Sequence, residues 1–238
     1  MITEKAAFNL FDKYLPLTSE IVKQNLYQYY VLIEEENSKY NLTGFYDEKL
    51  ICEGLIESIL IFKKIEKNIF DFKNKNVLDI GSGAGFPILP YFIYNPDFDL
   101  TIYEPMQKRV YFLNKVIEKL NLKNIAVKPV RAEDSKDSEI FDFISARAVS
   151  ELKNLVEITH KLGKIDSTFC FLKSQNYSEE INNANWIKNK LSINFQVKDL
   201  NKFFSINNVL VYYKKEFKTP YDIPRKWAQI IKYNLNKK

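Results

Sequence analysis

The sequence predicts a doubly wound α/β fold with a mainly parallel sheet, an N-terminal helical cap and an antiparallel C-terminal hairpin. Short apolar runs alternate with amphipathic helical segments from residue 75 onward, a rhythm typical of strands joined by crossover helices. Three of the six glycines lie within residues 81–85, where the first apolar run turns into a helix. Two late apolar runs are joined through Ile206, Asn207 and Asn208, which indicates a hairpin turn.

Residues 1–73 are predicted to be helical, because apolar side chains recur there at helical spacing. This spacing is seen at Val22, Leu26, Tyr29, Tyr30 and Ile33, and again at Ile51, Leu55, Ile59 and Phe62. A break over residues 39–44 separates the two segments. We expect one structural unit in three parts, namely a helical cap over 1–73, a core over 74–217 and a basic tail over 218–238.

The core is predicted from its apolar runs and helical faces. Strands are expected at residues 77–80, 100–103, 125–130, 141–145, 168–172, 195–204 and 209–217. Helices are expected at residues 87–94, 107–120, 150–162 and 179–190. Gly163 is expected to act as the C-cap of the third of these helices.

Charge and cysteine content narrow the class of protein. The chain has 238 residues and a net charge of +5, all of it contributed by six basic groups opposed by Asp222 within residues 218–238. Such a tail is either a phosphate-binding arm or a solvated end. Two cysteines without metal-ligand spacing favour a reducing cytoplasm. We expect a monomer without a bound metal or a membrane span.

The glycine cluster predicts a nucleotide-sized pocket. Its pattern is G-x-G-x-G, not the dinucleotide G-x-G-x-x-G, and no phosphate-binding P-loop motif is present. Asp79 precedes the cluster, and we expect its carboxylate to face a cationic ligand. Glu104 lies 23 residues after Gly81, at the end of the second predicted strand, where an acid can accept hydrogen bonds from ribose hydroxyls. Together these features favour S-adenosylmethionine, which carries a cationic sulfonium and no phosphate.

Two further loops are predicted to line the same crevice. Arg131, Ala132 and Glu133 follow the third predicted strand, and Arg147 follows the fourth. Glu133 is a candidate contact of adenine, and Arg147 is a candidate anchor for a carboxylate or a phosphate. Taken alone, these residues are equally consistent with ordinary surface charge in loops.

Five segments in this order resemble one family, the bacterial small-subunit ribosomal RNA methyltransferases known as glucose-inhibited division protein B. The segments are Asn41-Leu42-Thr43, Asp79 to Pro87, Glu104 to Leu113, Arg131-Ala132-Glu133 and Ser145-Ala146-Arg147-Ala148, and the resemblance continues in the tail at Thr219-Pro220 and Ile223 to Lys226. The chain departs from the family pattern at Gly54 and Ile88.

The resemblance implies a class I methyltransferase fold, which is Rossmann-like, and methylation of N7 of a guanine in 16S rRNA. It also implies cofactor contacts at Gly81, Phe86, Ala132, Glu133 and Arg147, to which the loop geometry adds Gly83 and Glu104. No residue is assigned a catalytic role, because guanine N7 carries a lone pair and no proton. Candidate RNA contacts are basic side chains near the crevice and in the tail: Lys108, Arg109, Arg131, Arg225 and Lys226.

Three alternative functions remain open when only the residues are considered. A methyltransferase acting on another RNA or on a small molecule shares the same cofactor half. A nicotinamide-dependent oxidoreductase is disfavoured by the missing third glycine, by Asp79 and by the closing hairpin. A non-enzymatic RNA-binding module explains the basic tail but not the combination of glycines and Glu104. We also expect removal of residues 218–238 to weaken RNA binding without changing the affinity for the cofactor.

Overall fold

In the computed structural model, which describes residues 1–204 and 206–235, a seven-stranded sheet has the order β3-β2-β1-β4-β5-β7-β6. The strands are β1 (Asn76–Ile80), β2 (Asp99–Tyr103), β3 (Ile125–Lys128), β4 (Phe141–Arg147), β5 (Gly163–Lys173), β6 (Gln196–Phe203) and β7 (Ile206–Lys214). Strands β1 to β5 pair in parallel, and β7 runs antiparallel to β5 and β6. The predicted mainly parallel sheet with a closing hairpin is therefore confirmed.

Helices flank the sheet in the order expected for a doubly wound fold. They are α1 (Glu4–Tyr14), α2 (Glu20–Asn37), α3 (Asp47–Lys49), α4 (Glu57–Asn68), α5 (Ile88–Tyr94), α6 (Gln107–Lys119), α7 (Leu152–Thr159), α8 (Tyr177–Asn183), α9 (Asn185–Lys190) and α10 (Trp227–Leu235). A π-helix, Leu50–Ile56, joins α3 to α4. No helix in the described ranges is long and apolar enough to cross a bilayer.

Alternate side chains of the strands enter two separate hydrophobic cores, one on each face of the sheet. On β4, Phe143 joins the first core and Ile144 the second, because successive side chains of a strand point to opposite faces. The first core also contains the buried faces of α2 and α4, including Tyr29 and Phe62, so the N-terminal helices share it with the strands. The division at residues 73 and 217 stays a prediction.

Several predicted boundaries are wrong. Gly163 follows the helical stretch as predicted, since it is the C-cap of the 3-10 turn His160–Leu162 that continues α7, but its backbone is extended, with φ −80° and ψ 143°, and it is also the first residue of β5. The helix expected over 179–190 is split into α8 and α9 at Ala184. Strand β7 begins at Ile206, so the hairpin turn comes earlier than expected. Phe204 is in a turn with φ of +53°, and Ser205 lies outside the described residues.

The cap packs directly on the glycine loop after β1. The buried Tyr29 hydroxyl of α2 donates a hydrogen bond to the carbonyl of Ala84. Gly85 adopts φ of +105°, and a Cβ there would lie 2.5 Å from the Tyr29 hydroxyl and 2.8 Å from Cδ2 of Leu89. The contact between cap and loop therefore requires glycine at position 85.

We predict that Gly85→Ala lowers the free energy of unfolding by about 2–4 kcal/mol, because it adds backbone strain and a steric clash. Urea denaturation followed by circular dichroism measures the change. Gly44→Ala is the matched control, since a Cβ at Gly44 would meet nothing within 4 Å. Equal losses in the two variants would contradict the role given to Gly85.

Candidate functional site

The loop after β1 turns tightly across the carboxyl end of the sheet. Gly81 adopts φ of +67°, a conformation that strains residues with a side chain. A Cβ at Gly81 would lie 2.7 Å from Cγ2 of Val149, which follows β4. Glycine at this position keeps the ends of β1 and β4 close together and leaves the main chain open to a ligand.

Asp79 lies beneath this loop and does not face a ligand, contrary to the expectation from sequence. Its side chain is fully buried, and its carboxylate accepts hydrogen bonds from the hydroxyl of Ser82 and, at 2.6 Å, from that of Ser145 on β4. Burial raises the pKa of Asp79 to about 7, against the opposing effect of the two hydroxyls. The sequence analysis did not identify either serine as a partner.

Glu104 at the end of β2 holds the loop from the other side. Its Oε2 accepts a hydrogen bond from the main-chain N–H of Gly83 at 3.1 Å, and its Oε1 accepts one from Met106 at 2.9 Å. The side chain is only 1% exposed. The glycine loop is therefore fixed by the carboxylate of Asp79 on β1 and by that of Glu104, which directly follows β2.

A cavity of about 320 Å³ opens beside this loop at the carboxyl ends of β1, β2 and β4, the edge at which open α/β sheets bind ligands. Four of the predicted cofactor residues line it: Gly81, Glu104, Ala132 and Glu133. Arg109 and Arg131, predicted as RNA contacts, also line it. Residues that the sequence did not point to complete the wall: Tyr103, Met106, Val149, Ile158 and Trp227.

Three predicted cofactor residues lie outside this cavity wall. Gly83 does not line the cavity, and its main-chain N–H donates a hydrogen bond to Oε2 of Glu104. Phe86 packs towards the cap, with its ring centroid 6.2 Å from that of Tyr29 and 6.4 Å from that of Phe45. Arg147 lines a second cavity of about 410 Å³, which shares Ala148, Val149 and Ser150 with the first.

A buried polar cluster lies beside the second cavity. Nη2 of Arg147 is 3.7 Å from Oε2 of Glu57, and Nδ2 of Asn208 donates a hydrogen bond to Oε1 of Glu57 at 2.9 Å. Glu57 is fully buried, and burial raises its pKa to about 7 despite the guanidinium of Arg147. Burial also lowers the pKa of Arg147, while Glu57 opposes this effect.

The predicted RNA contacts differ in how they present their charge. Lys108 and Lys226 are exposed, and the side chain of Arg131 is 55% exposed and lies 3.9 Å from Glu133. Arg109 is partly exposed, 3.7 Å from Glu104. Lys108, Arg131 and Lys226 therefore present accessible cations to a partner.

Arg225 is turned inward. Its Nε and Nη2 donate hydrogen bonds to the buried carboxylate of Glu157 at 2.7 and 2.8 Å, and its guanidinium lies 4.6 Å from the ring centre of Trp186. A buried carboxylate needs such a partner. Arg225 therefore has a structural role in neutralising Glu157, and its contact with RNA stays a prediction.

The tail is not a free basic arm over its described length. Ile223 and Ile230 are buried in the second core, and Trp227 lines the first cavity. Lys237 and Lys238, counted in the basic tail, lie outside the described residues. Removal of residues 218–238 would also remove Trp227 from the wall of the first cavity, and survival of cofactor affinity after this deletion stays a prediction.

The only histidine of the sequence is buried. Nδ1 of His160 is hydrogen-bonded to the hydroxyl of Thr219 at 2.7 Å, and burial together with the charge of Lys215 lowers its pKa to about 3. The side chain is neutral at physiological pH. No group of His, Cys, Asp or Glu side chains suited to a metal ion occurs in the part of the chain that the structure describes.

Comparison with known proteins identifies relatives over most of the chain. Residues 22–204 match the family model described as rRNA small subunit methyltransferase G. The ribosomal RNA small subunit methyltransferase G of Mycoplasmopsis pulmonis is 39% identical over 229 residues, which cover 94% of this chain and 98% of the relative. The protein of the same name from Mycoplasma mobile is 46% identical over 183 residues, which cover 75% and 80%.

Solved structures share the fold. A SAM-dependent methyltransferase from Aquifex aeolicus aligns with a TM-score of 0.55 at 18% identity, covering 76% of this chain and 98% of that protein. TYW2 of M. jannaschii, solved in complex with AdoMet, aligns with a TM-score of 0.52 at 16% identity, covering 66% and 76%. At these identities the likeness concerns the fold alone.

We predict that Asp79→Asn removes part of the pH dependence of stability. The pKa of Asp79 is raised in the folded protein, so between pH 5 and pH 8 the folded state binds more protons than the unfolded state and stability falls as pH rises. Denaturation at pH 5 and at pH 8 measures the effect. Between these values the free energy of unfolding of the wild type should fall by about 2–3 kcal/mol more than that of the variant. Asp97→Asn, which changes an exposed carboxylate, should leave the profile unchanged. A profile that is identical in wild type and Asp79→Asn would contradict the assignment.

Proposed function

This chain belongs to the rRNA small subunit methyltransferase G family, and from that premise we propose that it methylates N7 of a guanine in 16S rRNA. The chain is an S-adenosylmethionine-dependent rRNA methyltransferase with the class I methyltransferase fold. The observation that carries the finer proposal is the cavity at the carboxyl ends of β1, β2 and β4, open to exposed cations on its rim. We propose the target atom, N7, and the residues that position it; the family-level activity is the premise.

The residues around the first cavity fit an adenosine cofactor. Gly81 offers main-chain contact where a Cβ would fill the space. The carboxylate of Glu104 has lone pairs beyond the two that its loop contacts use, and these can accept from ribose hydroxyls. Ala132 and Glu133 supply the wall for adenine, and Met106, Ile158 and Trp227 add apolar surface. Gly83 contributes to cofactor binding indirectly, because its N–H positions the carboxylate of Glu104. Phe86 contributes by packing the glycine loop against the cap.

Charge in this cavity comes from Glu104 and Glu133 rather than from Asp79. Both carboxylates line the wall, and each has an arginine within 4 Å, Arg109 and Arg131 respectively. These four side chains carry no net charge, so they neither repel a pyrophosphate nor select a cation. The choice of S-adenosylmethionine over a nicotinamide dinucleotide comes from the family to which the chain belongs.

The proposed reaction requires positioning and no proton transfer before attack. When bound, S-adenosylmethionine supplies the methyl group: the N7 lone pair forms the new bond while the sulfur keeps the electron pair of the broken one. Guanine N7 has no proton to remove, and the one histidine is buried, neutral and bound to Thr219. The chain then contributes mainly by orientation, which is worth up to about 7–11 kcal/mol in well-aligned reactions. No side chain is proposed as an essential acid or base.

The direct test of the function is the methylation state of 16S rRNA. Cells that lack the protein should lose one 7-methylguanosine, detected by mass spectrometry of nuclease fragments. The purified full-length protein with S-adenosylmethionine should restore it in rRNA or in small subunits from those cells, and a Gly81→Val variant should not. Restoration at a different atom would overturn the N7 assignment, and an unchanged rRNA would overturn the substrate.

We predict that two exposed cations near the carboxyl edge of the sheet, here called the rim, contact rRNA phosphates: Arg131 in the wall of the first cavity and Lys108 in the first turn of α6. The double variant Lys108→Ala/Arg131→Ala should bind target RNA more weakly, and its plot of log affinity against log salt should be shallower by roughly 1.4–1.8, because two phosphate contacts are lost. Cofactor affinity is measured alongside RNA affinity, because Arg131 also lines the first cavity. Filter binding across a salt series measures the slope.

The matched control for this prediction is Lys73→Ala/Lys123→Ala. Both lysines are exposed and precede β1 and β3, at the opposite edge of the sheet from the cavity. If this control flattened the slope as much as the rim variant does, the rim would have no special part in RNA binding.

A further inference from the structure

The second cavity has the size and position of a site for the acceptor base. At about 410 Å³ it falls in the range of small-molecule pockets. It lies at the carboxyl ends of β4 and β5, bordered by Arg147, Lys173 and Asn208. The segment Ala148-Val149-Ser150 lines both cavities, so the two sites are separated by one short stretch of chain.

The wall of this cavity is held rigidly. Nζ of Lys173 donates hydrogen bonds to the carbonyl of Ser150 at 2.8 Å and to Oε2 of Glu180 at 2.7 Å. The N–H of Leu152 donates to the same Oε2 at 2.7 Å. Lys173 is buried although it is charged, so its ammonium is committed to the wall and fixes the segment between the two cavities.

Glu57 sets which atom of Asn208 is offered to a ligand. An ionised carboxylate accepts hydrogen bonds and donates none, so the Asn208 amide must turn Nδ2 towards Glu57. Its carbonyl oxygen, Oδ1, is then the atom of Asn208 that remains for a ligand in the cavity it lines. Burial raises the pKa of Glu57 to about 7 against the opposing charge of Arg147, so this orientation of the Asn208 amide is favoured above that pH.

We propose that the second cavity binds the target guanine and that Asn208 Oδ1 accepts a hydrogen bond from the guanine N1–H and N2–H edge. Glu57 acts as a positioning residue through the Asn208 amide. The proposal rests on the proposed function. Guanine presents donors on this edge and acceptors at O6 and N7 on the other, so reading the donor edge leaves N7 free for methyl transfer. Adenine would bring its N1 acceptor against Oδ1 and be rejected.

A base inside an RNA helix cannot reach such a cavity. The target nucleotide must therefore turn out of its stack, as it does in other enzymes that modify bases. The cost of unstacking is lowest in irregular or single-stranded RNA. The proposal thus restricts the substrate to a guanine in a loop, a bulge or a locally opened segment.

The test uses full-length protein at pH 8, where Glu57 is ionised, and target RNA that carries guanosine, inosine or 2-aminopurine ribonucleoside at the methylated position. Inosine lacks the 2-amino donor, and 2-aminopurine lacks N1–H. The wild type should prefer guanosine by roughly 10-fold or more in kcat/KM over at least one analogue, the value of one neutral hydrogen bond. Asn208→Ala should abolish that preference while the Kd for S-adenosylmethionine, measured by calorimetry, stays unchanged.

Glu57→Gln tests the positioning role without leaving a buried charge. Arg147 attracts the carbonyl oxygen of the new amide, which leaves the amide nitrogen facing Asn208 and reverses the Asn208 amide. The preference for guanosine should fall as in Asn208→Ala. Asn189→Ala, which changes an exposed asparagine outside the cavity, should retain the full preference.

Two results would overturn the proposal. One is an unchanged preference for guanosine in both Asn208→Ala and Glu57→Gln. The other is a weaker affinity for S-adenosylmethionine in Asn208→Ala with the preference intact, which would assign the second cavity to the amino-acid end of the cofactor. A wild type that methylates no guanine N7 would instead refute the proposed function, so the two failures are distinguishable.

Discussion

The buried carboxylate of Asp79 is the contact on which the site depends. It joins the hydroxyl of Ser82 in the glycine loop to that of Ser145 in β4, and thus ties two neighbouring strands where the order of the sheet reverses. Both cavities lie around the segments that it connects. An unpaired buried carboxylate is costly, so the two serines are part of the same constraint. The geometry of the site is therefore fixed before any ligand binds.

Local patterns in the sequence predicted most of the fold and about half of the site. The strands, the glycine loop and the positions of Glu104, Ala132 and Glu133 follow from chain order, because parallel strands bring their carboxyl ends to one edge. The direction of the Asp79 side chain could not be predicted, because β1 is buried on both faces and a carboxylate can point to either one. The side chains of α7, β7 and α10 near the cavities were missed because their contacts are distant in sequence.

Predictions that rested on net charge agreed with the structure less well than those that rested on the order of the strands. The basic tail was interpreted as a phosphate-binding arm from its net charge. In the structure, Arg225 forms an ion pair with Glu157, 68 positions away in sequence, and Trp227 lies in the wall of the first cavity. A count of charges cannot tell an exposed cation from one that neutralises a buried acid. By contrast, Lys108 and Arg131 keep accessible charge, since each follows a strand at the edge where the cavity opens.

The docked tail also couples two equilibria. A ligand that contacts Trp227 binds more tightly when the tail is docked, because the undocked chain lacks that wall. Thermodynamic reciprocity then requires the ligand to favour docking by the same factor. The Arg225–Glu157 ion pair, whose residues neighbour Trp227 and Ile158 of the cavity wall in sequence, stabilises the docked tail. Any ligand of the first cavity that contacts Trp227 is therefore coupled to docking of the C-terminal helix by one coupling free energy.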